Sequence, residues 1–218
     1  MINSSESRDR RLVVVGAGGH AKVVIDVARG AGWVPAVALD PVGVGHSCVD
    51  VSVVGPDGMA EDLFADGFRF AVIALGGNTL RCRIGRRLQQ IGFSCPPVIH
   101  PTAVVSPYAR VSDGTVVMPY AVINSHADVG EFAIVNTAVV VEHDCVVGDG
   151  AHIAPRSVLG GNVHIGREVL FGIGSAARPG SVVCDGATVG AGSVVVGRIE
   201  AGATVAGAPA RPLVRGGA

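Results

Sequence analysis

A six-residue rhythm runs without interruption from Val98 to Arg211. Cut in sixes, the chain reads VIHPTA, VVSPYA, RVSDGT, VVMPYA, VINSHA and on in the same frame to AGAPAR. The second place is apolar eighteen times in succession, from Ile99, Val105, Val111, Val117 and Ile123 to Val195 and Ala201. The sixth place is mostly small or β-branched, as at Ala103, Thr115, Ala121, Cys145, Ser157 and Ser175. Period six fits neither a helix nor a hairpin meander. It fits a solenoid of parallel strands, in which each hexad forms one flat side and three hexads close a triangular coil. The large aliphatic fills the coil, and the small residue sits near a corner where space is short. Gly114, Gly130, Gly148, Gly150, Gly166 and Gly174 are expected at turns with positive φ. Eighteen residues per coil gives about six coils, stacked at about 4.8 Å, with residue i under residue i+18.

Composition agrees with so narrow a core. Aliphatic and other hydrophobic residues make up 49% of the chain, aromatic ones only 4%, and 32 of the 218 residues are glycine. The net charge of −1 offers no electrostatic footprint for nucleic acid or an anionic membrane. No apolar run approaches the roughly 20 residues of a membrane span. Residues 1–10, rich in Ser and Arg, have no apolar stretch behind their charges and are expected to be a polar tail, not a signal peptide. The five cysteines, odd in number and without metal-ligand spacing, are those of a reduced, cytoplasmic protein.

Residues 11–97 keep a different rhythm. Apolar strands at Leu12–Val15, Val34–Leu39 and Phe70–Leu75 alternate with helices near Ala21–Gly30, Met59–Ala65 and Thr79–Ile91. The first helix turns Val23, Val24, Val27 and Ala28 inward; the last turns Arg81, Arg83, Arg86 and Arg87 outward. Strand and helix in alternation predict a small doubly wound, Rossmann-like α/β unit. The turn Gly16-Ala17-Gly18-Gly19-His20 joins the first strand to the first helix, where backbone N–H groups and a helix N-terminus face an anion together. A tight turn without a ligand is the competing reading. Asp40 ends the second strand, either to meet a ribose or base or to cap the turn before Pro41. About three βα repeats suit a mononucleotide better than a dinucleotide. Residues 98–211 then form the solenoid, and 212–218 a tail.

Solenoid walls are bland, so polar interruptions stand out. The densest comprises Asn136, Glu142, His143, Asp144 and His152. The eighteen-residue rule puts Ser125 on one side of His143 and Gly161 on the other. A bare glycine beside a histidine leaves room for a ligand. Histidine is suited to accept a proton near neutral pH, with a neighbouring carboxylate to set its tautomer. Strand neighbours point opposite ways, so either Glu142 or, if a corner falls at 143–144, Asp144 is that carboxylate. A surface histidine on a solenoid wall is the alternative. His126, His143, His152 and His164 stand 17, 9 and 12 residues apart, which gathers no three imidazoles around one ion, and no metal is expected.

Several stretches together carry a family resemblance. They are VVVGAGGHAKVVID at 13–26, AVIALGGNTLRCRI at 71–84, VMPYAVIN at 117–124, VNTAVVVEHDCVVGDGAHIAP at 135–155, GGNVHIG at 160–166 and GAPAR at 207–211. The chain resembles the bacterial sugar acetyltransferases that join a nucleotide-sugar-binding front domain to a left-handed parallel β-helix: enzymes of bacillosamine synthesis, perosamine and viosamine N-acetyltransferases, and proteins called sialic acid O-acetyltransferases. The resemblance implies His143 as catalytic base, Asp144 as its modulating acid and Asn136 in the active site. It places His152 near the acetyl group, the Gly161 N–H against the thioester, and Gly172, Ile173, Pro209 and Arg211 along acetyl-CoA. It places Gly16, Gly18, Gly19, His20, Asp40 and Asn78 on the nucleotide-sugar side, and implies a homotrimer with active sites between subunits. Some UDP-sugar relatives carry two consecutive acids after the second strand; here Asp40-Pro41 stands, as compatible with guanine as with uracil. The expected reaction is acetyl transfer from acetyl-CoA to the 4-amino group of a nucleotide-linked 4-amino-4,6-dideoxy sugar for surface glycans. O-acetylation of a sugar hydroxyl is the first alternative, a non-enzymatic nucleotide-sugar-binding scaffold the second.

Overall fold

The computed structural model describes residues 10–213, so most of the two expected tails lies outside the described residues. The chain forms two compact units, one up to Pro101 and one from Thr102.

The front unit holds a five-stranded sheet in the order β3-β4-β2-β1-β5. Its strands are β1 (Arg11–Val15), β2 (Val34–Leu39), β3 (Ser47–Cys48), β4 (Val51–Gly55) and β5 (Phe70–Ile73). β1 lies parallel to both β2 and β5, and Leu12–Val15 are buried, as a continuous apolar run in a covered parallel sheet should be. Helices α1 (Gly19–Gly30), α2 (Ala60–Ala65) and α3 (Asn78–Ile91) complete the unit. The β3–β4 hairpin was not legible as strand: the chain between Leu39 and Gly55 is Gly-rich, and the hairpin turns through Val49 and Asp50 at positive φ. Two helix faces differ from expectation. In α1, Val23 is 47% exposed, and Ala21 and Ile25 join Val24, Val27 and Ala28 inside. In α3, Arg81 is fully buried, because its guanidinium turns back to the carbonyls of Leu75 (3.0 Å) and Gly76 (3.1 Å) ahead of the helix.

From Thr102 the chain coils into three parallel sheets. The register is eighteen residues throughout the body: Val122 pairs with Val140, Asp128 with Val146, Ile134 with His152. Second-place residues such as Ile123, Val141, Leu159 and Phe171 are fully buried. Sixth-place hydroxyls bond carbonyls at the corners, Thr115 to Gly130 at 2.7 Å and Ser157 to Gly172 at 2.8 Å, so small polar residues sit inside without a desolvation penalty. First-place residues point outward, and on one face they are Val104, Val122, Val140, Val158, Ala176 and Val194, an unbroken apolar ladder.

The turn sits at places four and five of each hexad. The fifth is left-handed, at Tyr120, His126, Phe132, Ala138, Asp144, Arg156, Asn162 and Glu168 as well as at glycines. Gly114, Gly150 and Gly174 adopt the expected positive φ. Gly130, Gly148 and Gly166 do not. They occupy the third place, where a Cβ would meet backbone of the next coil: 2.8 Å from the Asp149 nitrogen, 2.7 Å from that of Arg167 and 2.5 Å from that of Asp185.

The hexad frame breaks once. After Val195, Val182 pairs with Arg198 and Val189 with Val205, a register of sixteen. Two residues are missing from that side, so Val205 turns inward and Ala201 is exposed. The chain then reverses, and Arg211–Pro212 pairs antiparallel with Thr204–Ala206.

Candidate active site

His143 and Asp144 form the turn that leaves the valine face at coil three. Asp144 has φ 60°, and this reversal folds its carboxylate back onto the imidazole, with 2.7 Å between Nδ1 and Oδ2. A carboxylate only accepts, so Nδ1 carries the proton, and in the neutral tautomer of that ring Nε2 presents a lone pair. Glu142 is engaged elsewhere: its Oε2 accepts from Asn124 Nδ2 at 3.0 Å. Both neighbouring turns are keyed to this one. The Asp144 N–H donates to the Ser125 carbonyl at 3.2 Å, and the Asn162 N–H to the His143 carbonyl at 2.9 Å. Gly161 stands against the ring: a Cβ there would lie 2.7 Å from both Cε1 and Nε2. Cys145, next in sequence, is fully buried, donates to the Gly160 carbonyl at 3.1 Å, and burial pushes its thiol up from the ordinary range. It is no candidate nucleophile.

Asn136 and His152 meet each other, Asn136 Nδ2 to His152 Nε2 at 3.0 Å, but at the opposite end of the valine face. Asn136 follows the strand Ile134–Val135, in a different sheet from Val140–Val141, which leads to His143. One whole side of the coil, about 15 Å at strand rise, separates the pair from His143. Gly172 and Ile173 lie on the Asn136 corner two coils on. Ile173 is 58% exposed, whereas a Cβ on Gly172 would reach the Val189 carbonyl and the Ala191 nitrogen. Farther along, Ala210 docks its N–H on the Val194 carbonyl, which sets exposed Pro209 and Arg211 at the end of the valine face. Of the residues expected along acetyl-CoA, only Gly161 lies beside His143.

In the front unit, Gly16 takes φ 107° and a Cβ on it would strike the Ala74 carbonyl, so only glycine closes the β1–α1 turn. Asp40 braces the same turn: Oδ2 accepts from the Ala17 N–H at 2.7 Å and Oδ1 from the Val42 N–H at 2.8 Å. Beside them a cavity of about 300 Å³ is lined by Val15, Gly16, Leu39, Asp40, Pro41, Asp57, Leu75, Leu80, Arg83 and Ile84. Gly18, Gly19, His20 and Asn78 are not in its wall. Gly18 and Gly19 open α1 with clear space over their Cα atoms. Asn78 opens α3 and its Oδ1 accepts from Arg81 at 2.9 Å. His20 is held below its usual titration range by burial and then by the Arg81 guanidinium. Asp57, Leu80 and Arg83 carry no signal in the sequence: Asp57 sits in a short 3₁₀ turn, and the period of the helix that holds Leu80 and Arg83 does not say which of its exposed positions line a cavity. Among the described residues, no three His, Cys, Asp or Glu side chains are grouped to hold a metal ion, and no helix is long and apolar enough to cross a membrane.

A glycine-turned α/β unit followed by a hexapeptide solenoid with a His–Asp corner is the architecture of a left-handed β-helix acyltransferase with an α/β front domain. The model of the PglD N-terminal domain matches residues 11–88. A histidine mutant of perosamine N-acetyltransferase from Caulobacter crescentus, bound to CoA and GDP-perosamine, superposes with a TM-score of 0.91 at 37% identity, over 93% of this chain and 96% of that one. The acetyltransferase domain of PglB from Neisseria gonorrhoeae FA1090 superposes at 0.90 with 41% identity, over 94% and 100%. WeeI from Acinetobacter baumannii AYE gives 0.81 at 25% identity, over 93% and 99%. The chain belongs to the bacterial sugar acetyltransferase family. It is an acetyl-CoA-dependent acyltransferase.

Proposed function

We propose that this protein acetylates the 4-amino group of a nucleotide-linked 4-amino-4,6-dideoxy sugar, such as GDP-perosamine or a UDP-amino sugar, in the cytoplasm, during surface glycan synthesis. The observation that carries the reading is the His143–Asp144 corner with Gly161 against the imidazole. Relatives bound to CoA and GDP-perosamine support the substrate class, and two of those complexes were made with histidine mutants.

The front-unit cavity holds the nucleotide, with Gly16 and Asp40 in its wall, while Gly18, Gly19, His20 and Asn78 present two helix N-termini to the diphosphate. The sugar amine attacks the thioester carbonyl directly. A C–N bond forms, the proton on nitrogen passes to His143 Nε2, and the tetrahedral adduct expels CoA thiolate, which is reprotonated. Asp144 steadies the imidazolium through Nδ1–H. The Gly161 N–H faces the carbonyl oxygen as charge develops there. Holding both substrates in place removes most of the entropic barrier.

A homotrimer completes this site. His143 and the Asn136–His152 pair sit at opposite ends of one apolar ladder. Packing that ladder against a second copy brings the Asn136 corner of one subunit to the His143 corner of the next. Acetyl-CoA then runs between subunits past His152, Gly172 and Ile173 toward Pro209 and Arg211.

The test is thiol release from acetyl-CoA with GDP-, UDP- and dTDP-linked 4-amino-4,6-dideoxy sugars, and with free sialic acid as the hydroxyl acceptor. Release with one amino sugar is expected. His143→Ala should lower kcat about a hundredfold or more, and near-normal turnover by that variant would sink the base assignment. Release only with the hydroxyl acceptor would move the chemistry to O-acetylation.

A further inference from the structure

The corner that carries His143 also carries two rings. Tyr108, His126, Asp144 and Asn162 occupy the same place of their hexads in four successive coils. The rings of Tyr108 and His126 stack with centroids 6.0 Å apart and planes inclined by 27°. Tyr108 is 71% exposed, so its ring is open to a ligand. Beside the stack, the Ser106 and Ser125 hydroxyls lie 3.1 Å apart. One hydrogen bridges them, which leaves the other hydroxyl hydrogen and several lone pairs for a ligand. The platform is rigid: the Tyr108 N–H donates to Ser106 Oγ at 3.2 Å, and the His126 N–H to the Tyr108 carbonyl at 3.3 Å.

We propose that the Tyr108–His126 stack, with the Ser106–Ser125 hydroxyl pair at its edge, is the seat of the acceptor's pyranose ring. This rests on the reading under Proposed function, in which the thioester takes the Gly161 side of His143. The acceptor must then reach Nε2 from the opposite flank, which is the flank of Ser125, His126 and Tyr108. Successive coils lie about 4.8 Å apart, so a ring laid on this ledge reaches the His143 coil without crossing a corner. Ring faces carry negative charge and attract the positive C–H edges of a flat apolar surface. A 6-deoxy sugar has a methyl where other hexoses have a hydroxyl, and so offers more such surface. The serine pair supplies donors and acceptors for its remaining hydroxyls.

The experiment is titration calorimetry of GDP-perosamine and a UDP-4-amino-4,6-dideoxy sugar, with bare GDP, bare UDP and acetyl-CoA as controls, on the full chain and on Tyr108→Ala, Tyr108→Phe and His126→Ala. Thermal melts check that each variant folds. Tyr108→Ala should weaken the amino-sugar nucleotide about five- to tenfold and leave bare nucleotide and acetyl-CoA unchanged. Tyr108→Phe should restore the affinity, because the ring and not the hydroxyl makes the contact; His126→Ala should act as Tyr108→Ala does, more weakly. Equal loss on bare nucleotide, no loss on the amino sugar, or a wild type that binds the amino sugar no tighter than bare nucleotide would each overturn the seat. A changed sedimentation coefficient in Tyr108→Ala without the sugar-specific loss would make Tyr108 a packing residue between copies and overturn it too. Tyr108-dependent binding without thiol release would refute acetyl transfer and leave the seat standing; thiol release indifferent to Tyr108 would do the reverse.

Discussion

Gly161→Ala isolates the catalytic corner with a single methyl group. Gly161 has no left-handed φ, so alanine accepts the backbone without strain. The added Cβ would sit 2.7 Å from His143 Cε1 and Nε2 and 3.3 Å from Nδ1. Carbon contacts relax near 3.7 Å, so the imidazole must retreat by about 1 Å. It does so against its 2.7 Å bond to Asp144. A misplacement of about 1 Å at reacting atoms costs about a hundredfold in rate, or about 2.7 kcal/mol of barrier. Folding stability should change by no more than about 0.5 kcal/mol, since the yielding ring is exposed. The assay is thiol release under saturating acetyl-CoA and amino sugar, beside a thermal melt. Gly160→Ala is the contrast: its Cβ would meet the Pro179 ring and nitrogen at 2.7–2.9 Å, backbone that cannot swing away, so that variant should lose about 1–3 kcal/mol of stability. A Gly161→Ala enzyme with wild-type kcat and an unchanged melt would refute the assignment of Nε2 as the reacting atom.

Asp144→Asn replaces the acceptor at Nδ1 with a group that can donate, and should lower kcat at least about tenfold with little change in either KM; a drop confined to KM would show that Asp144 binds substrate instead. Cys145→Ala should keep kcat within about threefold while losing about 1 kcal/mol of stability with the thiol's bond and volume, and loss of turnover with an intact melt would revive an acyl-enzyme. His20 supplies a pH test. Its folded value lies below the ordinary 6.5, from burial first and Arg81 second, so as pH falls through the unfolded value the unfolded chain takes up the proton first. Stability is therefore full above that pH and declines below it. His20→Gln should flatten the fall in melting temperature between about pH 7 and about pH 5, and an unchanged slope would count against burial of the neutral ring.

What could be read from sequence followed from one-dimensional regularity. Eighteen apolar second places determine three sheets and a register of eighteen, because a solenoid coil contacts only its neighbours. That register already set Ser125 and Gly161 on either side of His143. The residues alone leave Glu142 and Asp144 open and the resemblance names Asp144; the left-handed φ at Asp144 is what folds its carboxylate onto the ring. Asn136 and His152 look like members of the His143 cluster because they are close in sequence, yet a whole side of the coil parts them. The glycines at 130, 148 and 166 looked like turns but answer to the next coil's backbone. Arg81 looked solvated by helical period, and its reach back to Leu75 and Gly76 buries it. The frame slip after Val195 leaves no mark in the sequence because Ala201 still fits an apolar place.

The antiparallel strand at the end of the solenoid has a consequence for solubility. A stack of parallel coils is open-ended: its last rung exposes a row of unpaired N–H and C=O groups that another chain's first rung could continue, the route by which strand edges seed fibres. On one of the three sheets that edge, Thr204–Ala206, is covered by Arg211–Pro212 running the other way. Reversal breaks the parallel template, Pro212 brings no N–H, and Arg211 adds a charge at the rim. Removing residues 207–213 should therefore uncover that edge and favour end-to-end association, read as a sedimentation coefficient that grows with protein concentration.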